Sequence, residues 1–441
     1  MHNDSPDNSD SLDRLLRQQL LNGPQSRADL MAVLGGSQPS FSRRVARLGD
    51  QLVRIGAGPS TRYALRRVLR GLPPLLPVLR VSEQGIPVLI GHLEPVYARG
   101  YVYRSEDTQQ AAMYPGIPWF MEDMRLQGFL GRAFAQRGVL PELPPRLQDW
   151  SDDDAVLAMA RVGEDLPGNL IVGDESFQRW QLSQSGLTPL APTARLAHYA
   201  SLAGEPPYNP SSAAGEQPKF TASVLREDGS TQHVIVKYSP LYSEGAARRW
   251  ADLLIAEHHA LSALHAAGVP AARTQILDDG RRVYLEVERF DRLGSSGRIG
   301  LVSMAAVDHE FVGDLRVWSA TARQLARQAR LSQDDLRRIQ QIEAYSAWIG
   351  NGDRHFGNLS FTFDGSRLCL APAYDILPMD YAPTAAGIPA AAGMPPVFTA
   401  DVLDASRVMR ATARSFWQRV ADDLRVSDDF RGIATTQARS I

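Results

Sequence analysis

Three polar residues constrain this chain more than any other feature. Asp353 and Asn358 lie in the run Gly350-Asn351-Gly352-Asp353-Arg354-His355-Phe356-Gly357-Asn358, and Asp375 follows in Ala373-Tyr374-Asp375-Ile376. The amide comes five residues after the first acid, and the second acid 22 residues after it. Phosphoryl transfer needs these types. A carboxylate takes the proton of the accepting hydroxyl, while an amide oxygen and a second carboxylate hold Mg²⁺ on the triphosphate. Asp375 comes just after the apolar, strand-like Leu368-Cys369-Leu370-Ala371, so it can project from a strand end toward the same cleft.

Lysine usage sharpens this reading. Lys plus Arg total 47, of which only Lys219 and Lys237 are lysine, leaving 45 arginines. Such a chain uses arginine for generic positive charge, so a retained lysine marks a place for a compact ammonium. Lys237 ends the β-branched run Val234-Ile235-Val236, as expected of a central strand whose lysine reaches phosphates. Lys219 closes the small-residue stretch Ser211-Ser212-Ala213-Ala214-Gly215-Glu216-Gln217-Pro218, placed where a phosphate-covering loop belongs. Twenty residues past Lys237, Glu257 stands in an amphipathic helical pattern and can swing back onto that lysine; Asp252 in the same pattern competes for the role. The strand-like Val283 to Val287 then runs into a linker, where Glu288 and Phe290 would flank an adenine ring.

Together these motifs resemble the HipA family of serine/threonine kinases, the toxin half of bacterial HipA–HipB modules, and more closely its stand-alone YjjJ/HipH-like branch. The likeness spans roughly residues 76 to 425, and the family's hinge string is present verbatim from Val287 to Arg292. It implies that Asp353 accepts the substrate proton and that Asn358 and Asp375 hold Mg²⁺. Lys237 would contact the α/β-phosphates of ATP, His355 would lie beside the nucleotide, and Tyr374 would accompany Asp375. Ala214, Gly215, Glu216, Gln217 and Lys219 would form the ATP loop. Ser212 would be autophosphorylated, with Ser211 as a rival, and phosphate there would repel the triphosphate. The implied substrate is a cytoplasmic protein, for which an aminoacyl-tRNA synthetase is a family precedent. Pro218 lacks an amide donor and alters the loop's phosphate contacts.

The N-terminal part has another character. Eleven arginines from Arg14 to Arg70 face only Asp29 and Asp50. Leu12 to Leu21 reads as a helix, Ser26 caps a second with Asp29 at the capping-box position, and Ser37 to Leu48 forms a third. Two short strands then flank a Gly56-to-Ser60 tip. This resembles a winged helix-turn-helix that places Ser40, Arg43, Arg44, Arg47 and Arg62 against double-stranded DNA. A fused DNA-binding unit would leave the need for a separate antitoxin partner open.

The expected fold class is α+β: a bilobal, protein-kinase-like (HipA-like) fold preceded by the winged helix. The expected divisions are an acidic disordered tail (1–13), the winged helix (14–72), an N-lobe (78–290) and a helical C-lobe (291–441). One cysteine, no 18-residue apolar stretch and a polar start point to a cytoplasmic chain without disulfides or a membrane span. Residues 118–137 and 152–161 read as helices, His258-His259 as helix surface and 380–396 as the substrate-facing loop. Two other readings stay open: a small-molecule kinase, and a DNA-binding regulator that uses the kinase fold to sense nucleotide.

Overall fold

The computed structural model describes residues 6–204, 217–242, 245–314, 316–384, 387–388 and 396–441. Near the N-terminus lie α1 (Pro6–Leu21), β1 (Gln25–Ser26), α2 (Arg27–Leu34), α3 (Gln38–Leu48), β2 (Leu52–Ile55) and β3 (Arg62–Leu65), with sheet order β1-β3-β2. The Ser26 hydroxyl accepts the Asp29 N–H at 3.1 Å and starts α2. Leu16, Leu20, Leu30, Phe41, Val45 and Leu48 close a small core. This unit is packed onto the next one. Arg66 meets the buried Glu94 at 2.7 Å, Arg67 meets Asp153 at 2.9 Å, and Val53, Ile55 and Ala64 share a cluster with Val96 and Val102.

A second unit contains β4 (Leu76–Val81), β5 (Pro87–Pro95), β6 (Tyr101–Ser105), β7 (Ala111–Tyr114), α4 (Gly128–Gln136), α5 (Asp152–Val162), β8 (Leu170–Val172) and α6 (Asp174–Gly186). Its antiparallel sheet, ordered β7-β6-β5-β4-β8, encloses a core of its own around Val78, Leu93, Met121, Val156 and Val172. The single helix expected over 118–137 is corrected. Trp119–Met124 is a 3₁₀ turn, and α4 begins only at Gly128, which has φ +60°. Met121 and Met124 both enter the core at the three-residue spacing of a 3₁₀ turn. In α5, Ser151 and Asp154 form a capping box, so the Asp152–Asp154 run is a helix start.

The third unit contains α7 (Arg195–Gly204), β9 (Lys219–Leu225), β10 (Thr231–Tyr238), α8 (Ala246–Ala266), β11 (Thr274–Asp278) and β12 (Val283–Glu288), with sheet order β11-β12-β10-β9. Strand alternation sorts its faces. Val234, Val236, Tyr238 and Tyr284 pack with Tyr199 of α7, while Val283, Leu285 and Val287 pack with α8. The chain continues through β13 (Arg292–Leu293), β14 (Gly297–Arg298), β15 (Leu301–Ser303), α9 (Met304–Phe311), α10 (Trp318–Arg327), α11 (Gln333–Trp348), β16 (Ser360–Phe363), β17 (Leu368–Leu370), α12 (Leu403–Asp422) and α13 (Asp428–Ser440).

The largest core joins Leu254 and Leu261 of α8 to Ile342, Tyr345, Phe416, Trp417 and Phe430, so the helix bearing Glu257 is fixed to the C-terminal helices. His258 and His259, expected on the helix surface, are half-buried. His258 bonds Thr274 and His259 bonds Asp423, each at 2.8 Å, because α8 is covered by a sheet edge on one side and by α12 on the other. Among the described residues no helix is long and apolar enough to cross a membrane.

Candidate active site

Lys237 ends up where β10, α8 and the turn after β17 meet. Its ammonium donates to both oxygens of Glu257, at 2.7 and 2.8 Å, and to Asp375 Oδ1 at 2.6 Å. Asp252 is not its partner, since that carboxylate accepts the Ser427 N–H at 2.8 Å. Burial works against the lysine's charge, but Asp375 and Glu257 outweigh it and hold Lys237 above the ordinary lysine range. Burial also pushes the Asp375 carboxyl up, yet the ammonium groups of Lys237 and then Lys219 bring it down to about 2. Glu257 is wholly buried and shares one ammonium with Asp375, so burial prevails and its carboxyl lies above the ordinary glutamate range. Asp375 has φ +58°, a left-handed backbone that is costly for a residue with a side chain and held in place here by the surrounding contacts.

The loop from Gly350 to Asn358 leaves α11 and enters β16. Asn351, almost wholly buried, accepts the Asp353 N–H at 3.2 Å. His355 Nδ1 accepts the Gly357 N–H at 3.1 Å and caps the turn Phe356–Asn358. Asn358 Nδ2 donates to the Asp353 carbonyl at 3.0 Å, which leaves its Oδ1 without a hydrogen bond among the described residues. The Asp353 carboxylate is exposed and equally uncommitted among them. Asn358 Oδ1 and Asp375 Oδ2 thus remain as two oxygens uncommitted among the described residues. That fits Mg²⁺, which takes one or two protein oxygens and completes its shell with phosphate and water.

Other expected residues fall as follows. Lys219 pairs directly with Lys237 across β9 and β10 and shares its face. Gln217 Oε1 is buried with no hydrogen-bond partner among the described residues. Phe290 lies 5.8 Å from the Tyr374 ring, and the Tyr374 hydroxyl donates to the Gly357 carbonyl at 2.6 Å, bracing the loop. Glu288 is not brought into the cleft. It pairs with Val234, on the face opposite Lys237 and Leu285, and Arg226 holds it at 2.6 Å. Ser211, Ser212, Ala214, Gly215 and Glu216 lie outside the described residues.

Sequence reasoning missed Asp380. Its N–H donates to the Gly350 carbonyl at 2.9 Å, and its Oδ1 fills the space where a Cβ on Gly352 would stand. The two glycines around Asn351 were the available signal. Only glycine lets Asp380 approach this closely.

A family model described as a HipA-like C-terminal domain matches residues 211–439, more than half of the chain, and a YjjJ-like toxin middle-domain model matches residues 72–181. The chain belongs to the HipA-like toxin family. It is 35 % identical to Toxin YjjJ of Escherichia coli strain K12 over 429 residues, covering 96 % of each protein. In structure it resembles a chain from the Shewanella oneidensis MR-1 complex of the toxin–antitoxin system HipA, HipB and operator DNA, with TM-score 0.51 and 15 % identity. That likeness covers 82 % of this chain and 95 % of the other. The fold is therefore the kinase-like fold of HipA.

In this HipA-like chain the Val287–Arg292 hinge does more than link two lobes. Arg289 binds both Asp165 oxygens, at 2.8 and 2.9 Å, and both Asp291 oxygens at 3.1 Å. Arg292 reaches Asp291 at 2.8 Å and the carbonyls of Leu166 and Gly168. Burial opposes the Asp291 charge, but Arg289 and Arg292 hold its carboxyl well below the ordinary range. The hinge is thereby clamped to the loop that follows α5.

Of the residues expected at DNA, Arg43 is exposed and Ser40 half-exposed. Arg44 is instead buried and meets Asp13 at 3.1 Å, because it falls on the core-facing side of α3. Arg47 is exposed but also pairs with Asp13, at 2.8 Å, and Arg62 donates to the Pro24 carbonyl at 2.7 Å.

Proposed function

We propose that this chain is an ATP- and Mg²⁺-dependent serine/threonine protein kinase that phosphorylates a cytoplasmic protein, with the translation machinery as the candidate target class, and itself at Ser212. The observation that carries the reading is the three-way contact of Lys237 with Glu257 and Asp375, beside a loop whose Asp353 carboxylate and Asn358 Oδ1 are uncommitted among the described residues. Lys237 and Lys219 would bind the phosphates, with Lys237 exchanging its bond to Asp375 for phosphate oxygens. Asp353 would orient the serine hydroxyl and take its proton. Asn358 and Asp375 would hold Mg²⁺, which supplies charge neutralisation at the phosphates. Nucleotide binding and turnover of Asp353→Ala and Asp375→Ala test the roles. The first variant should bind ATP and not transfer phosphate, and the second should lose metal-dependent binding. Wild-type turnover in both would remove the assignment.

We infer further that residues 14–72 are a winged helix that binds duplex DNA through Arg43 and Ser40 of α3, helped by Arg47 and the hairpin Arg62. The similar Shewanella chain forms a complex with HipB and operator DNA, which supports DNA and an antitoxin as partner classes for this chain as well. Duplex binding by the full chain should weaken steeply as salt rises and weaken further in Arg43→Ala. Salt-independent binding, or none, would count against it.

A further inference from the structure

A second cavity, of about 360 Å³, lies between the second unit and the C-terminal part, away from Lys237. Its walls include the aromatic rings of Tyr103, Trp119 and Phe120 on one side and Phe363 on the other. Tyr103 and Phe120 have centroids 5.2 Å apart, and Trp119 and Phe363 5.1 Å apart, so the rings form one connected cluster across the junction. Asn169 also lines this cavity. It is only 9 % exposed, yet its side-chain amide makes no hydrogen bond among the described residues. The amide is accessible from the cavity and presents both a donor and an acceptor to what fills it. Arg80 lines the cavity as well. One guanidinium nitrogen donates to the Asp364 carbonyl at 2.9 Å, and the others are uncommitted among the described residues.

We propose that this cavity is a second small-molecule site, which takes a planar heteroaromatic anion of the nucleoside monophosphate class. Aromatic walls accept a flat ring in stacked or edge-on contact. A side-chain amide matches the paired donor and acceptor on a base edge, and a guanidinium matches a phosphate. The volume lies within the range of ligand pockets, which starts at about 300 Å³. Two covalent or hydrogen-bonded routes tie the site to the proposed active centre. The Gly168 N–H donates to Asp291 at 3.0 Å and its carbonyl accepts from Arg292 at 2.8 Å, so the cavity wall is bonded to the hinge. On the other side β16, which ends at Phe363, follows the Asn358 loop directly. Occupancy would therefore stiffen both the hinge and the loop.

The test is calorimetric titration of the full chain with the 5′-monophosphates of adenosine, guanosine, cytidine and uridine, with and without a saturating non-hydrolysable ATP analogue. At least one monophosphate should bind with the analogue present. Asn169→Ala and Arg80→Ala should each weaken it about tenfold or more. Asn169→Asp, which keeps the side-chain size and repels an anion, should weaken it even where Asn169→Ala unfolds the chain. Absence of binding by all four, binding that the analogue displaces, or binding that Asn169→Asp leaves unchanged would each overturn the proposal. An analogue that fails to bind counts against the kinase reading alone, because the variants still test this site.

Discussion

Lys219 and Lys237, the only lysines of the chain, face each other directly across β9 and β10. Like charges opposite each other in a sheet repel. The arrangement is offset by Asp375 and Glu257, which both lysines influence. Under the proposed function, this pair of ammonium groups beside Asp375 would receive a polyphosphate.

The two lysines should differ sharply when removed. Lys237→Ala leaves Glu257 buried without its cation and should cost about 3–5 kcal/mol of stability together with all phosphotransfer. Lys219→Ala removes a half-exposed group with no ion pair among the described residues. It should cost less than about 1 kcal/mol while raising the KM for ATP. Urea unfolding and ATP titration of the two variants, side by side, measure this.

Gly352→Ala should place its methyl against Asp380 and displace the loop that carries Asp353. Activity should fall more than about tenfold, in kcat rather than in nucleotide affinity. Adding Asp380→Ala should restore most of it by opening the space. A double variant as slow as Gly352→Ala would show that the contact is not the cause.

Within the hinge, Asp291 and Asp165 accept from the same two arginines but differ in exposure: Asp291 is 5 % exposed, whereas half of the Asp165 side chain reaches solvent. Asp291→Ala should therefore cost about 3–5 kcal/mol, and Asp165→Ala less than about 1 kcal/mol. Denaturant midpoints of both variants test the ranking.

How much of this was legible in the sequence depended on locality. Lys237, Asp353, Asn358 and Asp375 stand out because each is a chemical type that phosphoryl transfer needs, set in a short recognisable run. Glu257 and Asp252 could not be separated, since both are acids on one helix and only the docking of α8 near Ser427 decides. Glu288 was misplaced because strand alternation gives two faces without saying which one meets the cleft; its pairing with Val234 supplies that. Asp380, the clamp from Arg289 and Arg292 to Asp165, and the inward turn of Arg44 arise from contacts between distant segments, which no local pattern records.

His258 gives a pH dependence with a definite sign. Burial, then the neighbouring His259, hold it at about 4 against an ordinary 6.5; Arg425 acts the same way and Asp423 opposes. The unfolded chain takes up the proton first between these values, so this term's stability is complete above about 6.5 and declines as pH falls toward 4. The denaturant midpoint of the wild type should drop more between pH 7.5 and 5 than that of His258→Gln. Parallel slopes would contradict the assignment.

The most direct test of the central claim is mass spectrometry of the purified chain after incubation with Mg²⁺ and ATP, alongside Asp353→Ala. Phosphate is expected on Ser212, or on the adjacent Ser211, in the wild type and on neither in the variant. Phosphate in both proteins, or ATP bound with no phosphorylated residue in either, would contradict a protein kinase centred on Asp353.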